Sequence, residues 1–193
     1  KLPKKINSDA VARHTLTLIL SLSQNIKQQI LSANKDKWER FMNLHPKNIK
    51  IGIFGMGNVG KKVTKMLLLL GYNVFYYSKN SRYYSKKVKY VSSLKKLINK
   101  TDLLSIHLKS NTETKKIINQ KILRSMKNKY LVNTSRGDLI QEHVLYKLLK
   151  KKYILGAGLD VYKSEPPKNI SLKLRKLKNV IGTAHSSFYD KYT

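Results

Sequence analysis

The sequence predicts an α/β fold: a doubly wound parallel sheet with helices on both faces. Three observations predict it. Short apolar runs of strand length alternate with helical stretches along most of the chain, the pattern of βαβ units. A glycine-rich turn, Gly55-Met56-Gly57-Asn58-Val59-Gly60, joins one such strand to the helix that follows. Polar residues gather just past the ends of successive strands, where open parallel sheets place their ligands.

The elements follow in order. Residues 9–31 read as a long helix, with Asp9 as candidate N-cap. Val11, Leu16, Ile19, Leu20, Ile26 and Ile30 give it an apolar stripe wider than one surface face. Residues 35–50 form a polar connector holding Trp38 and Pro46. Strands are expected at 49–54, 73–77, 103–108, 130–133, 155–161 and 180–182. Helices are expected at 58–70, 94–99, 118–126 and 140–152, with Gly71 suited to end the first of these. Residues 78–89 and 163–178 are polar and irregular and read as long surface loops. Crossovers in such a fold are right-handed.

A chain of 193 residues suffices for one domain with a well-covered core. It has no cysteine, which fits a reducing cytoplasmic setting and rules out disulfides and thiolate metal sites. Its longest apolar runs, 16–22 and 66–70, fall well short of the ~20 residues that span a bilayer, so no membrane role is expected. The net charge of +30 raises the question of nucleic acid. The excess is nearly all lysine, 34 against 6 arginines, and it is spread along the chain rather than gathered in one block. Lys, Asn, Ile and Tyr are all abundant and share A/T-rich codons, so the charge reads as compositional bias. Zinc-finger spacing, an aromatic RNA-binding strand and a basic zipper are all missing, and no nucleic-acid partner is expected.

The glycine turn has the surroundings of a dinucleotide site, with an apolar strand before it and a helix after it. Gly55 permits the tight turn, Gly57 lets the backbone approach a pyrophosphate, and Gly60 lets helix and strand pack closely. The amides of Asn58 and Val59, at the positive end of the helix dipole, would face the phosphates. The second strand ends at Ser78, where an acidic residue would accept the ribose 2′-hydroxyl of NAD(H). Ser78 is followed by Lys79 and Arg82, a hydroxyl and two cations suited to a 2′-phosphate, so NADP(H) is favoured over NAD(H). A loop tolerating either cofactor is the alternative. No ligand cluster at metal spacing accompanies Asp160 and Glu165, so no metal is expected.

Ser135-Arg136-Gly137, Asp160 with Glu165-Pro166-Pro167, and Thr183-Ala184-His185 each follow a predicted strand. In this order, behind the Rossmann-type turn, they resemble the D-isomer-specific 2-hydroxyacid dehydrogenases. The resemblance runs almost end to end. It includes Ala10 to Leu16 as the family's linking helix, Trp38, Ser105-Ile106-His107, Thr112-Glu113-Thr114 and Ile117-Ile118-Asn119. It implies an oxidoreductase that interconverts 2-oxo acids, such as glyoxylate, hydroxypyruvate or pyruvate, with D-2-hydroxy acids; 3-phosphoglycerate oxidation stays open. His185 would be the general acid/base, Glu165 its orienting partner, and Arg136 the grip on the substrate carboxylate and keto oxygen. Asp160 would receive the nicotinamide carboxamide, and His107, Leu108, Thr134 and Ser135 would line the cofactor wall. A non-catalytic dinucleotide sensor or corepressor-like protein on the same fold is the alternative.

The resemblance also implies a division of the chain. Residues 1–8 would close a preceding substrate domain, 9–187 form the dinucleotide-binding domain, and 188–193 begin the return to the substrate domain. On that division the chain is a cofactor domain, weakly active or inactive by itself, from a homodimer joined around the 9–31 helix. There are departures from the family pattern. Lys109 and Ala184 stand where it usually has proline, and Lys116 where it usually has glycine. Ser186-Ser187-Phe188-Tyr189 replaces the glycine-rich stretch after the histidine and is closer to the lactate dehydrogenase branch.

Overall fold

The structure, a computed structural model, describes residues 4–79 and 85–189. Arg82, expected at the cofactor ribose, lies outside the described residues, as do residues 1–3 and 190–193 of the two flanking segments.

Seven strands are present among the described residues: β1 Lys50–Phe54, β2 Asn73–Tyr77, β3 Lys89–Tyr90, β4 Leu103–Ile106, β5 Tyr130–Asn133, β6 Gly156–Leu159 and β7 Val180–Gly182. They form one sheet in the order β3-β2-β1-β4-β5-β6-β7, and every pairing is parallel. The chain steps outward from β1 to β3, then crosses back to the other side of β1 and runs out to β7. The winding therefore reverses between β1 and β4, which pair in the register Ile51↔Leu103. A crevice opens at such a reversal beyond the carboxyl ends of the strands.

The helices are α1 Lys4–Ser23, α2 Ile26–Ala33, α3 Asn58–Leu69, α4 Leu94–Lys100, α5 Gln120–Arg124, α6 Glu142–Lys150 and α7 Asn169–Arg175. Side chains alternate across a strand, so each strand feeds two cores. Ile51, Ile53, Leu103 and Val132 pack with Leu18, Ile19 and Leu22 of α1 and Val63 and Leu67 of α3. Phe54, Leu104, Ile106, Leu131 and Leu159 point the other way, onto Leu97 and Ile98 of α4, Leu123 of α5, Leu145 and Leu149 of α6 and Leu174 of α7. This is the two-faced parallel sheet expected from the alternation of elements.

Several boundaries differ from the sequence reading. The helix expected at 9–31 is two helices, broken where Asn25 takes φ 51°, a left-handed conformation that asparagine tolerates. The Asn25 Nδ2 donates to Met42 O at 2.8 Å and pins the break. Beyond it the stripe turns away from the sheet, leaving Ile26 and Ile30 exposed. Asp9 is not a cap: it lies inside α1 and forms an ion pair with Lys62 of α3. The expected loop at 163–178 contains α7, whose buried Leu174 is masked in the sequence by Lys173 and Arg175 on either side. The 78–89 segment ends in the short strand β3. Ile118 and Ile140, read as helical, pair in an isolated parallel bridge, so α5 and α6 start later than expected. At α5 the cap is Asn119, whose side chain accepts from Ile122 N at 3.1 Å. Gly71, with φ 81°, follows α3 as anticipated.

Candidate active site

The crevice is built first by the glycine turn. Gly55 has φ +100°, and a Cβ there would lie 2.5 Å from His107 O, so the end of β1 turns hard against the end of β4. A Cβ on Gly60 would lie 2.2 Å from Gly55 O, which is why the helix can begin so close to the strand. At Gly57 a Cβ would meet nothing within 4 Å among the described residues. No side chain caps α3, and its first turn carries no acidic residue. Open space above Gly57 and uncapped amides at a helix N-terminus fit a pyrophosphate.

The opposite wall comes from β4. His107 N donates to Phe54 O at 2.7 Å, locking the two strand ends together. Its Nε2 lies 2.9 Å from Ser105 Oγ, while Nδ1 is buried without a hydrogen-bond partner among the described residues. Burial pushes the imidazole down to about 4, so it is neutral near pH 7. Leu108, half-buried, closes against the Gly55 turn.

Asn133, the last residue of β5, organises the next turn. It is fully buried; its Nδ2 donates to Arg136 O at 2.8 Å and its Oδ1 accepts from Ser135 N at 3.0 Å. Ser135 Oγ donates to Ile106 O at 2.7 Å and ties the turn to β4. Thr134 and Thr15 lie 2.7 Å apart at their hydroxyls. Thr15 already donates to Val11 O, so Thr134 is the donor between them. Arg136 is exposed, its Nη1 donating to its neighbour Ser135 O at 2.6 Å. Behind it, a Cβ on Gly137 would sit 2.0 Å from the Tyr162 carbonyl carbon. The arginine turn therefore packs directly on the loop leaving β6.

That loop carries the acid. Glu165 Oε1 accepts from Tyr162 N at 3.0 Å, and Oε2 lies 2.6 Å from His185 Nδ1. A carboxylate only accepts, so Nδ1 carries a proton and Nε2 is the nitrogen left for exchange. Glu142, buried on α6, holds the same loop by accepting from Lys163 N and Ser171 Oγ, both at 2.6 Å. His185 itself has φ 51°. It is fixed in that left-handed conformation by Asp160: His185 N donates to Asp160 O at 2.8 Å, and the carboxylate accepts from Thr183 Oγ1 at 2.5 Å and from Ser186 N and Ser187 N at 3.0 Å. Burial alone would raise the Asp160 carboxyl; the bonds from Thr183, Ser187 and Ser186 outweigh it and hold the group below its usual value. Phe188 packs edge-on to the His185 ring, 5.5 Å between centroids. A cavity of about 460 Å³ opens there, lined by Glu165, Pro166, Arg175, His185 and Phe188 among others.

The structure thus joins Glu165 to His185 directly, seats Asp160 beneath the same turn, and places Arg136 on the adjoining one. Ser78 and Lys79 lie apart from these, past the end of β2, where Lys79 Nζ is 3.1 Å from Glu113 Oε2. Sequence reasoning missed Glu142 and Tyr162 as loop holders. Tyr162 donates to Leu159 O at 3.2 Å, and its hydroxyl is pushed up to about 12, chiefly by burial. It also missed His14, whose Nε2 lies 3.0 Å from Thr183 Oγ1. Only the tertiary fold brings α1 and α6 to these loops, and no local pattern signals it. Among the described residues no cluster of histidine and carboxylate side chains could hold a metal ion.

A glycine-turn crevice at the sheet reversal, with an acid–imidazole pair beyond the last two strands, defines a Rossmann-type dinucleotide-binding domain. The model of the D-isomer specific 2-hydroxyacid dehydrogenase NAD binding domain matches residues 16–187, and the chain belongs to this family. It is 34% identical over 185 residues to the D-3-phosphoglycerate dehydrogenase of Methanocaldococcus jannaschii, covering 93% of this chain and 35% of that protein. It superposes with a TM-score of 0.88 on a D-lactate dehydrogenase from Aquifex aeolicus complexed with NAD and lactic acid, at 26% identity over 96% of this chain and 61% of that one. For an acyclic imino acid reductase in complex with NADPH and D-Arg the TM-score is 0.86, at 29% identity over 97% and 61% of the two chains. The chain therefore spans between a third and two thirds of the length of these relatives.

Proposed function

We propose that the chain is the cofactor domain of an enzyme that interconverts a 2-oxo acid and a D-2-hydroxy acid, with NADP(H) preferred over NAD(H). The observation that carries the reading is the 2.6 Å contact between His185 Nδ1 and Glu165 Oε2, on the sheet edge that holds the glycine turn. When bound, the nicotinamide supplies or accepts the hydride. The chain's own residues handle position and the proton. Arg136 offers a guanidinium fork to the substrate carboxylate and keto oxygen. In reduction, His185 Nε2–H gives its proton to the carbonyl oxygen, while Glu165 stabilises the charged ring and fixes its orientation. Asp160, closed off from solvent, holds the 183–187 turn that presents His185, and on this reading its position receives the nicotinamide carboxamide. His107, Leu108, Thr134 and Ser135 line the groove. Ser78 and Lys79, with Arg82 beyond, support the preference for a 2′-phosphate.

The test is His185→Gln in the full-length protein. Turnover of 2-oxo acids should fall by about 10²–10⁴-fold while dinucleotide affinity stays within twofold. A variant that keeps its turnover removes the enzyme reading. The isolated chain should bind a nicotinamide dinucleotide and turn over 2-oxo acids poorly.

We further propose a homodimer that works in the cytoplasm without nucleic-acid or membrane partners. Trp38 and Met42 are 93% and 92% exposed, Ile26 and Ile30 are exposed as well, and Ile30 and Trp38 line one groove, which supports a subunit contact. No helix among the described residues is long and apolar enough to cross a membrane.

A further inference from the structure

Lys79 and Glu113 stand on opposite lips of the crevice. Lys79 is two residues past the end of β2, and Glu113 is in the loop after β4; β2 and β4 flank β1 on either side. Their 3.1 Å contact therefore joins the segments that follow the two strands flanking β1. The Glu113 lip is firmly built. Asn111 Oδ1 accepts from Glu113 N at 3.0 Å and Thr114 N at 2.9 Å, and Thr114 Oγ1 donates to Lys109 O at 2.8 Å. The carboxylate is thus presented on a fixed turn, and the lysine reaches across to it.

We propose that Glu113 is a specificity-determining residue that limits how strongly the domain prefers NADP(H). This rests on the dinucleotide reading given above. The ammonium at Lys79 is the described cation nearest in sequence to the end of β2, where the adenosine ribose of a bound dinucleotide sits. A 2′-phosphate carries a charge of about −1.5 to −2 and must take Lys79 away from Glu113 while meeting the carboxylate's repulsion. A 2′-hydroxyl carries no charge and faces neither cost. The side chains are 78% and 72% exposed, so the ion pair is weak and a phosphate can break it. Glu113 therefore moderates the preference without abolishing NADP(H) binding, and Lys79 pulls the other way.

The experiment is titration of the 193-residue chain with NADPH and NADH separately, followed by nicotinamide fluorescence. The variants are Glu113→Gln, Lys79→Gln and the pair together. Glu113→Gln should tighten NADPH by about three- to fivefold and leave NADH within twofold. The gain should shrink when Lys79 is also replaced, and shrink again as salt is raised from about 0.05 to 0.5 M. Both side chains are exposed, and thermal unfolding checks that the fold is kept. An unchanged NADPH to NADH ratio, or an equal change for both, overturns this inference and leaves the dinucleotide reading standing. A wild-type chain that binds neither nucleotide overturns both.

Discussion

His107 shows how one side chain can be read from sequence in place and not in state. The family resemblance implies a place for it in the cofactor wall, and its backbone amide ties β4 to β1. What the fold adds is that Nδ1 of this half-buried residue is closed off without a partner among the described residues, and that burial pushes its titration down to about 4, below the ordinary 6.5. The sign of the consequence follows. As pH falls through 6.5 the unfolded chain takes up a proton that the folded chain refuses until about 4. The stabilisation is complete above that window and lost as pH falls through it, by up to about 3 kcal/mol. His107→Gln should remove this component, so the drop in urea midpoint between pH 7 and pH 5 becomes shallower than in the wild type. An identical drop in both proteins would show that burial does not lower the titration of this imidazole. His185 and Glu165 make the complementary case: their types and order suggested a pair, and the structure brings them to 2.6 Å.

At the scale of elements, the site depends on two close approaches. One is α3 against the end of β1 at Gly60; the other is the Arg136 turn against the Glu165 loop at Gly137. Gly137→Ala would force a methyl to within about 2 Å of the Tyr162 backbone, so one segment must move. Overpacking of this kind costs about 1–3 kcal/mol. The expected result is a lower melting temperature and a loss of turnover in the full-length protein larger than any loss of dinucleotide affinity, because the glycine turn lies elsewhere. Equal losses of both would show that the two parts of the rim are not separable. The boundaries legible in sequence were those fixed by local chemistry. Gly71 ends α3, and the apolar runs of β1, β2, β5 and β7 needed only their own residues. The helix break at Asn25 and the presence of α7 were not legible. The first depends on a side-chain bond to Met42, and the second on a single buried Leu174 among basic residues.

For the whole molecule the prominent features are the charge of +30 and the exposed apolar side chains of Trp38 and Met42. A like-charged surface opposes self-association in general, so a dimer needs an apolar patch large enough to overcome it. Replacing Trp38 and Met42 together with glutamate should turn a sedimenting dimer into a monomer. Side chains so exposed contribute little to the folded subunit, so its melting transition should survive. If the wild-type chain and the variant both sediment as monomers at micromolar concentration, this surface does not join subunits of the isolated domain.

The sequence by itself determined the fold class, the glycine turn between the first strand and its helix, the order of the rim residues and, through that order, the family. These are written in local periods and in glycines that a particular backbone shape requires. The tertiary structure alone decided which groups hold the rim in place. Asp160 grips the 183–187 turn, Glu142 grips the loop carrying Glu165, Thr15 meets Thr134, and Glu113 reaches Lys79 across the crevice. Each of these contacts joins residues far apart in the chain, and a hydrogen bond or ion pair depends on distance in space, which no spacing along the sequence encodes.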